Sequence, residues 1–260
     1  MCATCGCTVD SDQPADLGEL GLSGHDHRHD HEHGHAREHD DGRTVTLQQK
    51  ILAKNDDLAQ RNREWLRERG ILAINLMSSP GSGKTTLLER TSRDLAGKLA
   101  LSVIEGDQET DLDAMRIRSA GCEVVQINTG AGCHLDAAMV ARALQTLDPA
   151  AGSAVVIENV GNLVCPALFD LGESARVVLA SVTEGTDKPL KYPQMFRRAD
   201  LVVITKTDLG PYVNFDVARF GEYVGQVSPR ARMISLSAVT GSGMESWSGW
   251  LTSMTPAPAH

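Results

Sequence analysis

Aromatic residues are scarce in this 260-residue chain: three Trp, three Tyr and four Phe, 4% of the total. A core must therefore be built from aliphatic side chains, and 41% hydrophobic content suffices for one globular domain of ordinary size. No apolar run is long enough to span a bilayer. The N-terminus also lacks the basic and apolar regions of a secretory signal. These absences lead us to expect a cytoplasmic protein with no membrane partner. A basic excess is missing too. Lys and Arg number 25 against 34 Asp and Glu, for a net charge of −9, and no basic patch stands out. A nucleic-acid partner is not expected. The six cysteines, in a reducing compartment, read as buried residues, metal ligands or reactive thiols rather than as a disulfide framework.

What is present is unevenly spread. Residues 1–43 hold ten acids against three arginines, or −7 of the −9, while 44–260 is close to neutral. The first segment has almost no large apolar residues. It cannot bury enough surface to offset its ordering entropy, so it is expected to be disordered without metal. It carries a strip of imidazoles, His25, His27, His29, His31, His33, His35 and His39, interleaved with acids and arginines. Such a strip suits several weak sites for Ni²⁺, Zn²⁺ or Cu²⁺. The opening MCATCGC places Cys2, Cys5 and Cys7 in C-x-x-C-x-C spacing. Metal binding is its natural use, because a redox C-x-x-C would need a thioredoxin-like βαβ context that is absent.

Beyond residue 44 the pattern is that of a folded domain. Leu47, Ile51, Leu58, Trp65 and Leu66 recur at helical spacing over 46–69, and Gly70 ends the run. Seven β-prone runs follow, at 71–78, 100–106, 122–127, 153–159, 175–182, 200–205 and 231–236. Helical stretches lie between most of them, at 84–97, 110–120, 134–147, 215–226 and 243–252. This alternation predicts an α/β fold with a mainly parallel sheet and helices on both faces.

The first run leads into SSPGSGKTT (78–86), a phosphate-loop pattern with Ser78 at the leading Gly position. Gly81 and Gly83 let the backbone turn its N–H groups inward, with Ser82 between them. Lys84 offers charge to the β- and γ-phosphates, the Thr85 hydroxyl is suited to Mg²⁺, and Thr86 is expected at the nucleotide with them, where the following helix points its positive end. TKTD (205–208) follows a later strand. Asp208 can accept two hydrogens from guanine N1 and N2, and Lys206 can lie across the base. Thr205 replaces the usual Asn of N-K-x-D. Ser237 and Ala238, in SAVTG, follow another strand, and the Ala238 N–H could donate to guanine O6. Taken in order, these favour GTP over ATP. Asp107 and Glu158 each end a strand on the same sheet edge, where they could hold Mg²⁺ or orient water. Cys133, His134 and Cys165 fall just beyond strands on that edge, and two thiolates with one imidazole suit Zn²⁺ or Ni²⁺. A symmetric dimer could complete the shell. Two buried cysteines with no metal are an equally open reading of these positions. Cys122 begins a strand and reads as core.

MCATCGC, the His strip, SSPGSGKTTLLE, IEGDQ, NTGAGCHLDA, IENVGNLVCPA, SVTEGTDKPLKYP and NFDVARF together resemble the HypB family of hydrogenase nickel-incorporation GTPases. The likeness covers nearly the whole chain. It implies a SIMIBI-class P-loop fold, GTP hydrolysis with Mg²⁺ and GTP-linked homodimerisation. It also implies nickel delivery to the [NiFe] hydrogenase large-subunit precursor, with a HypA-type accessory protein as partner. The family's metal site falls on Cys133, His134 and Cys165, and its high-affinity nickel motif on Cys2, Cys5 and Cys7. Its nucleotide and Mg²⁺ positions fall on Lys84, Thr85, Asp107 and Glu158. Slow intrinsic turnover is expected because no arginine finger is identifiable. A urease accessory GTPase and a nickel-storage protein are the alternative readings.

Overall fold

The computed structural model describes residues 40–107, 111–130 and 132–256. The chain divides into two compact units, Met1–Ile51 and Leu52–His260. In the first, the described backbone is the opening part of helix α1 (Asp40–Glu68). The expected boundary at residue 44 thus falls inside a helix. The helix starts ahead of the predicted 46.

The second unit continues through β1 (Leu72–Ser78), α2 (Lys84–Leu95), β2 (Leu101–Asp107), α3 (Leu112–Ser119), β3 (Glu123–Asn128) and α4 (Ala137–Leu147). Then come β4 (Ala154–Glu158), a 3-10 turn (Cys165–Leu168), β5 (Ala175–Ser181), α5 (Lys188–Lys191), α6 (Pro193–Arg197) and β6 (Leu201–Thr205). A second 3-10 turn (Thr207–Tyr212), α7 (Val217–Val227), β7 (Arg232–Ser235) and α8 (Met244–Met254) complete the order. The seven strands form one sheet in the order β3-β2-β4-β1-β5-β6-β7, and every pairing is parallel.

Alternation along β1 shows how the sheet is covered. Leu72, Ile74 and Leu76 pack with Leu87, Leu88 and Leu95 of α2 and with Trp247 and Leu251 of α8. Ala73 faces the other way, toward Leu66 of α1 and Val140 and Leu144 of α4. Met77 belongs with Phe196 of α6 and Phe220 and Val224 of α7. All seven β1 residues are buried, as a strand covered on both faces requires. Few aromatics are needed: Trp247 fills the α2–α8 seam, donating from Nε1 to Thr91 Oγ1 at 2.8 Å.

Two expectations shift. Helix α4 begins at Ala137 rather than at 134, because Asp136 is extended (φ −113°, ψ 168°) and its carboxylate accepts from Met139 N at 2.7 Å. Cys133 and His134 therefore sit on a loop. Helices α5 and α6 lie outside the predicted set. Each begins around a proline and is too short to show a helical period. None of the described helices is long and apolar enough to cross a membrane.

Candidate functional site

The expected phosphate loop joins the buried end of β1 to α2. Gly81 (φ 70°) and Gly83 (φ 96°) take left-handed backbone that a side chain would strain. Ser78, at the position where the pattern has Gly, is fully buried and works within the loop. Its hydroxyl donates to Ser79 O at 2.7 Å, bonds to Ser82 Oγ and accepts from Lys84 Nζ at 3.0 Å. Burial pulls the Lys84 ammonium below its ordinary pKa, against the pull of Glu158 and neighbouring carboxylates.

Register explains why the acids meet there. In adjacent parallel strands, Glu105 of β2 aligns with Glu158 of β4, which aligns with Leu76 of β1 just before the loop. Glu105, Asp107, Asp113 and Glu158 line a cavity of 270 Å³ with Gly81 and Lys84. Glu158 Oε1 accepts from Thr85 Oγ1 at 3.1 Å. Its Oε2, like Glu105 Oε2, is buried without a hydrogen-bond partner. Burial pushes Glu158 up to about 7 and Glu105 to about 8, with Glu158 and Asp107 raising Glu105 further. Orphaned buried carboxylate oxygens beside a Thr hydroxyl fit a divalent cation with oxygen ligands such as Mg²⁺. Neither expected acid is the N-cap of a described helix; that of α3 is Asp111.

On the other side of the loop, a second cavity of 280 Å³ is lined by Gly83, Thr86, Thr205, Lys206, Asp208, Ser237 and Ala238 among others. All the residues expected to read a base thus surround one space. Thr205 has a further use: its hydroxyl donates to Ser82 O at 2.7 Å, while Lys206, in left-handed backbone, donates to Gly81 O at 2.6 Å. These two bonds tie the TKTD segment to the phosphate loop.

Cys133, His134 and Cys165 are brought together although their strands β3 and β4 are separated by β2. Their ligand atoms lie within 4.8 Å of one another, and Cys133 Sγ is 3.6 Å from His134 Nδ1. Pro166 follows Cys165 in its 3-10 turn, and Asn162 Oδ1 accepts from the N–H of Val164 and of Cys165. Burial lowers the His134 pKa, with Asp136 opposing, which is the direction that favours the neutral ring a metal ligand needs. Phe169 stacks on it, centroids 3.9 Å apart. Cys122 is core, as expected. Its thiol donates to Leu101 O at 3.0 Å, and burial pushes it up to about 11. Cys2, Cys5, Cys7 and the histidine strip, His25 to His39, lie outside the described residues.

Several residues of this region escape sequence reasoning. Glu105 faces the phosphate loop through sheet register, and Asp113 through the first turn of α3. Asn159 Oδ1 accepts from Leu135 N at 3.3 Å and from Val160 N at 3.0 Å, connecting the end of β4 to the residue after His134. Lys188 donates to Ser79 Oγ at 2.7 Å and pairs with Glu184, and burial pushes it down to about 8. The i,i+4 spacing of Glu184 and Lys188 was the visible signal for that pair.

Comparison with known proteins gives the family and the fold. The CobW/HypB/UreG nucleotide-binding domain matches residues 72–235. Hydrogenase maturation factor HypB of Rhizobium leguminosarum bv. viciae is 54% identical over 209 residues, covering 80% of this chain and 70% of that protein. The crystal structure of HypB from Archaeoglobus fulgidus superposes with a TM-score of 0.74 at 42% identity, covering 79% of this chain and 100% of that one. HypB from Helicobacter pylori, solved in complex with nickel, gives 0.73 at 40% identity, over 78% of this chain and 95% of that one. The chain belongs to the CobW/HypB/UreG family of P-loop GTPases, on its HypB branch.

Proposed function

We propose that the protein is a GTP-hydrolysing nickel metallochaperone for [NiFe] hydrogenase maturation, in which the nucleotide state sets how tightly the metal is held. The observation that carries this is the 158–165 connection. Glu158 lies at the phosphate loop, Cys165 lies in the metal cluster, and between them Asn159 bonds to Leu135, the neighbour of His134.

In this reading the 270 Å³ cavity receives the γ-phosphate end of GTP and the 280 Å³ cavity receives guanine. Lys84 and the loop N–H groups hold the phosphates. Thr85, Asp107 and Glu158 would hold Mg²⁺, which when bound neutralises phosphate charge. Asp208 accepts from guanine N1 and N2, Lys206 covers the base, and Ser237 and Ala238 close its far side. Asp107 and Glu158 keep one arrangement while the γ-phosphate is present, and its loss frees the 158–165 connection. Cys133, His134 and Cys165 bind Ni²⁺ as cargo, and the same donors suit Zn²⁺.

The wider assignments rest on the family resemblance. They are a GTP-linked homodimer, a HypA-type partner, delivery to the hydrogenase large-subunit precursor, a cytoplasmic location and slow intrinsic turnover. Residues 1–43 form the metal-binding and storage segment ahead of the 44–260 GTPase domain, with Cys2, Cys5 and Cys7 as a separate nickel motif. Lys84→Ala is expected to abolish GTP hydrolysis, measured as phosphate release. Unchanged turnover in that variant refutes the assignment of the loop.

A further inference from the structure

The metal cluster is assembled from two segments, 132–136 and 165–172, and neither segment alone fixes the distance between them. Helix α1 bridges the two. Asn55 Nδ2 donates to Asp170 O at 2.8 Å, while its Oδ1 accepts from Ala137 N at 2.9 Å. Asn62 Nδ2 donates to both Ala137 O at 2.9 Å and Leu171 O at 3.0 Å. Each amide therefore touches 165–172 and Ala137, the residue that directly follows 132–136, and each asparagine is 6% exposed. Positions 55 and 62 are two helical turns apart and share a face.

The contact is closer than amide bonds alone require. Gly172 has φ +89°, and a Cβ there would lie 2.5 Å from Ala59 O and 2.6 Å from Asn62 Cβ. The loop backbone thus lies directly on the helix. Arg63 Nη2 also donates to both carboxylate oxygens of Asp170, at 2.7 and 2.8 Å. Phe169, next to Asp170, carries the stacking contact to His134, and Ala137 opens the helix three residues beyond it. From the two asparagines, each ligand segment is reached within a few residues.

We infer that α1 is the clamp of the metal centre, and that Asn55 and Asn62 are positioning residues that set the spacing of Cys133 and His134 from Cys165. The inference rests on the reading that these three residues hold a metal ion. Buried asparagines can also serve only to satisfy backbone groups. In that case their loss would lower stability and leave the ligand geometry of the folded protein unchanged.

Co²⁺ is the probe that separates these cases, because its thiolate charge-transfer and d–d absorption report sulfur ligands and tetrahedral geometry. The full chain carries Cys2→Ser, Cys5→Ser and Cys7→Ser, so that the thiolate signal comes from Cys133 and Cys165. The histidine strip is common to all variants, so differences between them report the cluster. Two variants are compared with this background. Asn62→Ala removes both of its bonds, and Asn55→Asp keeps the acceptor for Ala137 N but loses the donor to Asp170 O. Expected are a rise in the Co²⁺ half-saturation of about tenfold or more and weakened d–d bands, with GDP affinity unchanged. Background-like spectra and half-saturation in both variants would overturn the inference. So would loss of GDP binding in both, which would make the asparagines general supports of the fold. Cys165→Ala in the same background tests the underlying reading separately: if the thiolate signal survives unaltered there, the metal-site assignment has failed and the clamp falls with it.

Discussion

Glu158 shows how much one side chain contributes at the boundary between fold and chemistry. Its carboxyl is buried with one oxygen unpartnered, and burial raises it to about 7 from an ordinary 4.5. The sign follows from linkage. Between those values the folded state binds more protons than the unfolded state, so stability falls as pH rises. The contribution is full below 4.5 and is lost as pH passes through about 7, and Glu105, raised to about 8, extends the window upward. In protein free of nucleotide and divalent cation, the thermal midpoint is expected to fall across this range, and Glu158→Gln is expected to flatten part of that fall. An identical slope in wild type and variant would contradict the burial account. At this scale the sequence was legible where chemistry forces residues to be contiguous. Lys84, Lys206 and Asp208 line the two cavities, and Thr85 bonds to Glu158 beside the first of them. Glu105, Asp113 and Asn159 were not legible, because their neighbours lie tens of residues away in sequence and are brought close by the sheet, by α3 and by the turn after β4.

Helix ends carry local energy that can be tested one element at a time. Asp216 caps α7 by accepting from Arg219 N at 3.0 Å, and the helix delivers Phe220 and Val224 to the core. Asp216→Ala is expected to cost about 1 kcal/mol of stability in a denaturant titration, with GTP hydrolysis unaffected. No measurable loss would mean that solvent satisfies that N–H equally well. The strands and longer helices were readable because their apolar residues repeat with the right period, and each observed strand lies within a few residues of its prediction. The start of α4 was not readable. A helical pattern runs back through Leu135, but Asp136 is held extended by its own cap and leaves Cys133 and His134 on a loop. The one-turn helices α5 and α6 lack a period altogether.

For the whole molecule, the parallel sheet was predictable from alternation, whereas the order β3-β2-β4-β1-β5-β6-β7 was not. That order decides the function, because it sets the acids of β2 and β4 beside the phosphate loop after β1. It also lets the loops after β3 and β4 meet across β2 to assemble Cys133, His134 and Cys165. The central claim is that nucleotide state is felt at the metal through the 158–165 connection. It is tested most directly by the Ni²⁺ affinity of the full chain carrying Cys2→Ser, Cys5→Ser and Cys7→Ser, loaded with GDP or with a non-hydrolysable GTP analogue. Thiolate-to-nickel absorption, followed under chelator competition, reports the cluster. The account predicts affinities that differ by about tenfold or more, equivalent to about 1.4 kcal/mol of coupling. Equal affinities in the two nucleotide states would contradict it.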